Sequence, residues 1–171
     1  YNQTKAATIA IADYVGPVYL RFGRPAVPVF TPENQVFDIG KAVKLTEGSD
    51  VTIIATGHLV WEALEASKVL NNQGVSAEVI NIHTIKPLDE DIILESVSKT
   101  GCLVSAEEHN IFGGLGESVS RLLTTKMPAP QEFVGTKDTF GESGTPLELM
   151  DKYGLNSSSI CESAVKVVKR K

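Results

Sequence analysis

From residue 51 onward, apolar positions follow two alternating rhythms. VTIIA (51–55) is a short, continuous, β-branched run, the pattern of a strand buried on both faces. Beyond Thr56-Gly57, Leu59, Val60, Ala63, Leu64, Ala66 and Leu70 recur at helical spacing until Gly74 stops the helix. AEVINI (77–82) predicts a second strand. Pro87 then precedes a helix capped by Asp89, with Ile92, Ile93 and Val97 on its inner face. CLVSA (102–106) predicts a third strand, GLGESVSRLLTTK (114–126) a helix after a glycine turn, and EFVGT (132–136) a fourth strand. These strands begin near 51, 77, 102 and 132, spacings of 26, 25 and 30 residues. Alternation at that period predicts right-handed βαβ crossovers and a parallel sheet. The tail adds a short helix (146–153) and a longer one (159–169), the latter opening on Ser159 and Glu162 as a capping box.

The first fifty residues break this rhythm. Residues 3–13 are alanine-rich and helical in character, and Gly16-Pro17 ends them. VYLRF (18–22) reads as a β-type run. Pro25, Pro28 and Pro32 then make 25–36 the best linker in the chain. About 25 residues ahead of it are too few for a domain of their own.

Composition narrows the class. The 171 residues are 42% hydrophobic and 22% charged, the balance of a globular chain with a sizeable core. A net charge of −5 and a basic tail (Lys166, Lys169, Arg170, Lys171) without interleaved aromatics argue against nucleic-acid binding. No apolar run is long enough for a transmembrane span. The start YNQTKAAT has neither an initiator Met nor a signal-peptide layout, so it reads as an interior start. Cys102 and Cys161 lie far apart, which suits a reducing compartment better than a disulfide scaffold. Asn2-Gln3-Thr4 and Asn156-Ser157-Ser158 match the glycosylation pattern but carry no secretory context.

Candidate chemistry gathers after the strands. Asn110 to Gly116 forms a glycine-rich loop before a helix, where backbone amides can hold an anion. Val119 stands where a dinucleotide fingerprint needs glycine, and the loop follows the third strand rather than the first. Tight turning and close helix–strand packing is therefore the favoured reading. Glu107, Glu108 and His109 follow the third strand, and His58 and His83 also follow strands. That set offers acid–base or metal chemistry, against the plainer reading of a polar sheet edge. Arg21 and Arg24 flank Phe22-Gly23. An arginine there presents a bidentate fork to phosphate or carboxylate, and strand alternation puts the two on opposite faces. Residue-level reading stops at an α/β domain with no evident active site.

Three segments carry more: GPVYLRFGRP (16–25), VINIHTIKPLDEDIIL (79–94) and EEHNIFGGLGESVSRLL (107–123). With FGESGTPLELMDKYGL (140–155), they resemble the carboxyl-terminal part of transketolases, closest in form to the bacterial split type. The resemblance runs along nearly the whole chain. It extends to deoxyxylulose-phosphate synthases and the β subunits of 2-oxoacid dehydrogenases.

The resemblance implies a three-layer α/β/α fold with a five-stranded, mixed, mostly parallel sheet, the extra strand near Ala42–Leu45 running antiparallel. Residues 1–24 then correspond to the last helix and strand of a pyrimidine-binding domain, 25–35 to a linker, and 36–171 to the transketolase C-terminal domain. The implied activity is transfer of a two-carbon ketol unit between sugar phosphates in the pentose phosphate pathway. It would use thiamine diphosphate and Mg2+ in a cytoplasmic enzyme built from dimer contacts and a separate amino-terminal section. No G-D-G motif occurs in the chain, and the family's cofactor-activating glutamate lies upstream of Tyr1. The chain alone is therefore expected to be inactive and to hold no cofactor. Arg24, closing an L-x-x-x-R motif, matches the family's sugar-phosphate-binding arginine. His83 stands where the synthases carry a second phosphate arginine, which favours a transketolase. The alternatives are a non-catalytic dimerisation or interaction domain, or the corresponding part of a deoxyxylulose-phosphate synthase or of a 2-oxoacid dehydrogenase β subunit.

Overall fold

A computed structural model of the chain describes residues 1–23 and 25–171. The chain opens with α1 (Asn2–Ala12), and no strand lies between it and β1 (Val43–Thr46) among the described residues. There follow β2 (Val51–Ala55), α2 (Leu59–Asn72), β3 (Ala77–Asn81), α3 (Glu90–Thr100), β4 (Leu103–Asn110), α4 (Leu115–Lys126), β5 (Gln131–Thr136), α5 (Pro146–Lys152) and α6 (Ser157–Val168). The five strands form one sheet in the order β1-β3-β2-β4-β5. β3, β2, β4 and β5 run parallel, and β1 pairs antiparallel with the β3 edge.

Every residue of β2 is buried because helices cover both faces of the sheet. Ile53, Val79 and Val104 face α2 and α6 on one side. Ile54, Ile80 and Leu103 face α3 and α4 on the other. Two polar features sit inside these layers. The Thr52 hydroxyl bonds those of Ser96 (2.6 Å) and Thr100 (2.7 Å), joining β2 to α3. Glu78, 1% exposed within β3, is neutralised by Lys99 and by Lys44 at 3.7 Å, as a buried carboxylate requires. The hydrogen bond from Lys99 to Glu78 raises the lysine's pKa.

The fold class is the expected one, and four local expectations change. VYLRF is not a strand: a strand needs a neighbouring ladder, no strand runs beside it among the described residues, and Tyr19 and Phe22 stand exposed. β4 runs past CLVSA to Asn110, because its pairing with β5 resumes at Thr136 after a register shift. Glu107, Glu108 and His109 therefore lie within the strand rather than after it. Asp89 occupies the N-cap of α3, yet its carboxylate accepts the Ala42 N–H (2.9 Å) instead of capping its own helix. α6 begins earlier than expected, with Asn156 accepting the Ser159 N–H (3.0 Å). The capping box belongs to α5, where Thr145 donates through both its backbone N–H (3.1 Å) and its hydroxyl (2.6 Å) to Glu148.

Within the N-terminal segment, Asn2 Nδ2 donates to the Thr31 carbonyl (2.7 Å), and the segment meets the body where the Phe30 and Trp61 rings pack 6.0 Å apart.

Candidate functional site

The connection after β2 crosses to one side of the sheet, towards β3, and the connection after β4 crosses to the other, towards β5. The carboxyl ends of β2 and β4 thus flank the topological switch point, where open α/β sheets hold their ligands. Here the chain's own N-terminal segment lies across that place. Arg21 Nη1 donates to the Glu108 carbonyl in β4 (3.4 Å). Gly23 lies so close to His58, which follows β2, that a Cβ on it would come within 2.3 Å of His58 Nε2. His58 Nδ1 in turn lies 3.1 Å from Glu108 Oε2. Arg24 itself falls outside the described residues.

The glycine-rich loop has a structural occupant. Glu107 is buried, and its carboxylate takes the first amides of α4: Oε2 accepts from Leu115 N and Oε1 from Gly116 N, both at 2.8 Å. The helix end that would attract a phosphate therefore holds an anion supplied by the chain. Gly113 N–H donates to Glu117 (2.8 Å) and Phe112 N–H to Asn110 Oδ1 (3.0 Å), which closes the turn. Gly116 lies against Phe133 and Ser105, where a Cβ would come within 2.6 Å of the Phe133 ring. Turning and close packing is thus what these glycines do. The sequence signal for the cap was a glutamate at a strand's end eight residues before a helix start, and the reading of Glu107 as an acid–base candidate missed it.

The three histidines do not converge. His58 meets Glu108. His109 is half-exposed with Nδ1 against the Asn110 carbonyl (2.7 Å). His83 stacks on Phe37 (4.1 Å between centroids) with Nδ1 near the Thr84 hydroxyl (2.9 Å). Burial pushes the His83 pKa down, partly opposed by Asp38 and Asp89. Among the described residues, no group of three or more His, Cys, Asp or Glu is placed to hold a metal ion. Both thiols are free, and burial raises the pKa of each. No helix of the described residues is long and apolar enough to cross a membrane.

The basic tail is partly neutralised. Lys166 (2.7 Å) and Arg170 both pair with Glu132 in β5. Burial opposes ionisation of Glu132, but the bonds from these two cations outweigh it and hold the carboxyl below its usual range.

A parallel-centred α/β/α domain whose switch point is covered by its own N-terminal segment is the class that these features define. Residues 40–160 match the family described as "Transketolase, C-terminal domain", and the chain belongs to that family. It is 46% identical over 170 residues to the 6-deoxy-6-sulfo-D-fructose transketolase subunit SqwH of a Clostridium species, covering 99% of this chain and 52% of that protein. It is 38% identical over 170 residues to an apulose-4-phosphate transketolase subunit of Phocaeicola vulgatus, covering 99% and 54%. A solved split-gene transketolase, an inactive beta4 tetramer, superposes with a TM-score of 0.94 at 40% identity, over 96% of this chain and 54% of that one. The chain spans about half the length of the curated relatives it matches.

Proposed function

We propose that this chain is the carboxyl-terminal part of a split transketolase that moves a two-carbon ketol unit between sugars bearing an anionic tail. The observation that carries this reading is its likeness, over 99% of its own length, to proteins named as transketolase subunits. The named substrates of those two relatives are a sulfonated and a phosphorylated sugar, each ending in a tetrahedral anion. Such an anion suits a bidentate guanidinium, and Arg24 is the residue assigned to it.

The described residues do not fit thiamine diphosphate and Mg2+. The amides at the start of α4 are taken by Glu107, and no cluster of metal ligands is present among these residues. The cofactor's seat is therefore assigned to the amino-terminal section and to the rest of a pyrimidine-binding domain, of which residues 1–24 are the end. Ile9, Tyr14, Val15, Tyr19 and Phe22 are exposed apolar side chains on that segment, a surface such a domain would cover. The linker of 25–35 then leads into the domain of 36–171, whose role is assembly, including dimer contacts. Two free thiols accord with a cytoplasmic setting.

Calorimetric titration tests the division of labour. Thiamine diphosphate with Mg2+ is expected to show no binding to this chain alone, and binding once both the amino-terminal section and the rest of the pyrimidine-binding domain are present. Stoichiometric micromolar binding to the chain alone would overturn it. Arg24 is tested by steady-state kinetics of the complete assembly. Arg24→Ala is expected to raise KM for an anionic sugar roughly tenfold to a hundredfold while lowering kcat less. An unchanged preference for the phosphorylated over the unphosphorylated acceptor would refute the assignment.

A further inference from the structure

His58 and Glu108 make a seat for the segment that carries Arg24. We infer that they are positioning residues for the anion-binding arginine, an inference that rests on the reading of Arg24 given above. His58 occupies the N-cap position of α2, but its side chain does not cap that helix. The ring instead bridges two elements. Nδ1 lies 3.1 Å from Glu108 Oε2, and the opposite edge, Nε2 and Cε1, presses on Gly23. This approach of ring nitrogen to carboxylate ties the ring to the end of β4.

A Cβ on Gly23 would lie 2.3 Å from Nε2 and 2.5 Å from Cε1, so a side chain there would force the ring to move, although the backbone φ, outside the left-handed region, would admit one. Arg21, two residues earlier, is held on the same strand end through the Glu108 carbonyl (3.4 Å). That strand end is itself fixed, because the adjoining Glu107 is locked into the first amides of α4. A continuous set of contacts therefore runs from α4 through Glu107, Glu108 and His58 to Gly23, the residue next to Arg24 in sequence. A guanidinium that must meet two oxygens of a tetrahedral anion tolerates little displacement, and a shift of about 1 Å can cost on the order of a hundredfold. His58 and Glu108 thereby take part in recognising the charged end of the sugar through the segment that carries Arg24.

The test uses the complete two-section enzyme and compares KM and kcat for a sugar phosphate and its dephosphorylated analogue. Gly23→Ala is expected to raise KM for the phosphorylated sugar roughly tenfold and to leave KM for the neutral sugar unchanged. His58→Ala in the Gly23→Ala background should restore part of that loss, because the vacated ring space accepts the methyl group. His58→Asn, which keeps a donor near the Nδ1 position, should stay closer to wild type than His58→Ala. A role confined to stability would lower the melting temperature and affect both substrates alike, and that result would overturn the inference. If Arg24→Ala abolishes the phosphate preference while Gly23→Ala and His58→Ala leave it intact, the positioning role fails and the Arg24 reading stands. If Arg24→Ala leaves the preference intact, both fail.

Discussion

Glu107 and Gly114 occupy each other's margins: a Cβ on Gly114 would lie 2.2 Å from Glu107 Oε2. The backbone of Gly114 is extended (φ −98°, ψ −160°), a conformation open to any residue, so the carboxylate alone excludes a side chain. Gly114→Ala is expected to displace Glu107 from the start of α4 and strand two amides, at a cost of about 3 kcal/mol. Glu107→Ala should cost a similar amount. The double variant should cost clearly less than the sum, because the two changes remove one interaction. Thermal or urea unfolding of the four proteins checks this, and strict additivity would contradict the cap.

Thr52 gives a second, independent stability test. Thr52→Val keeps the shape but removes the hydroxyl that bonds Ser96, leaving a buried Ser96 hydroxyl without that partner. Thr100 retains its bonds to the Ser96 and Cys102 carbonyls. The expected loss is about 1–3 kcal/mol, read from the shift in the urea midpoint at constant slope.

Much of this architecture is legible in the sequence, and what is not has a physical pattern. The β2, α2, β3, α3, α4 and β5 elements follow from apolar period, because burial on one or two faces writes itself directly into residue order. β1 does not: its burial is intermediate throughout and its partner β3 lies far along the chain, so only resemblance pointed to it. VYLRF misleads because β propensity is satisfied only by a neighbouring ladder. Among site residues, the Glu107 cap and the His58–Glu108 contact join positions separated by loops, and residue type alone does not distinguish a capping carboxylate from a catalytic one.

His83 sets a pH dependence. Burial lowers its pKa in the folded chain below the ordinary value of about 6.5. Above that pH both states carry neutral imidazole. Below it the unfolded chain takes up the proton more readily, so stability falls as the pH drops towards the folded-state value. His83→Gln should flatten that part of the profile, which urea unfolding between about pH 7.5 and pH 5 would show as a smaller loss than in the wild type. Parallel profiles would rule out His83 as the source.

The boundary assigned at residues 25–36 has its own test. Val29 and Val36 are exposed and no helix or strand protects the segment among the described residues, so limited proteolysis is expected to cut there first. A stable core beginning near residue 36 should remain. Early cleavage within 51–135 would contradict the assignment.

The antiparallel β1 strand also bears on the order in which the domain assembles. As the chain is synthesised, Val43 to Thr46 emerges ahead of the other strands of this sheet, yet it pairs only with the edge of β3, with Val43 opposite Asn81. Nothing is available for it to join until β2, α2 and β3 have come together, and the Asp89 carboxylate that accepts the Ala42 N–H arrives later still. The first strand of the sheet to be made is therefore among the last to dock. Until α3 begins, the β3 edge stays open to other chains, so the interval between β3 and Asp89 is the stage at which a nascent domain is most exposed to mispairing.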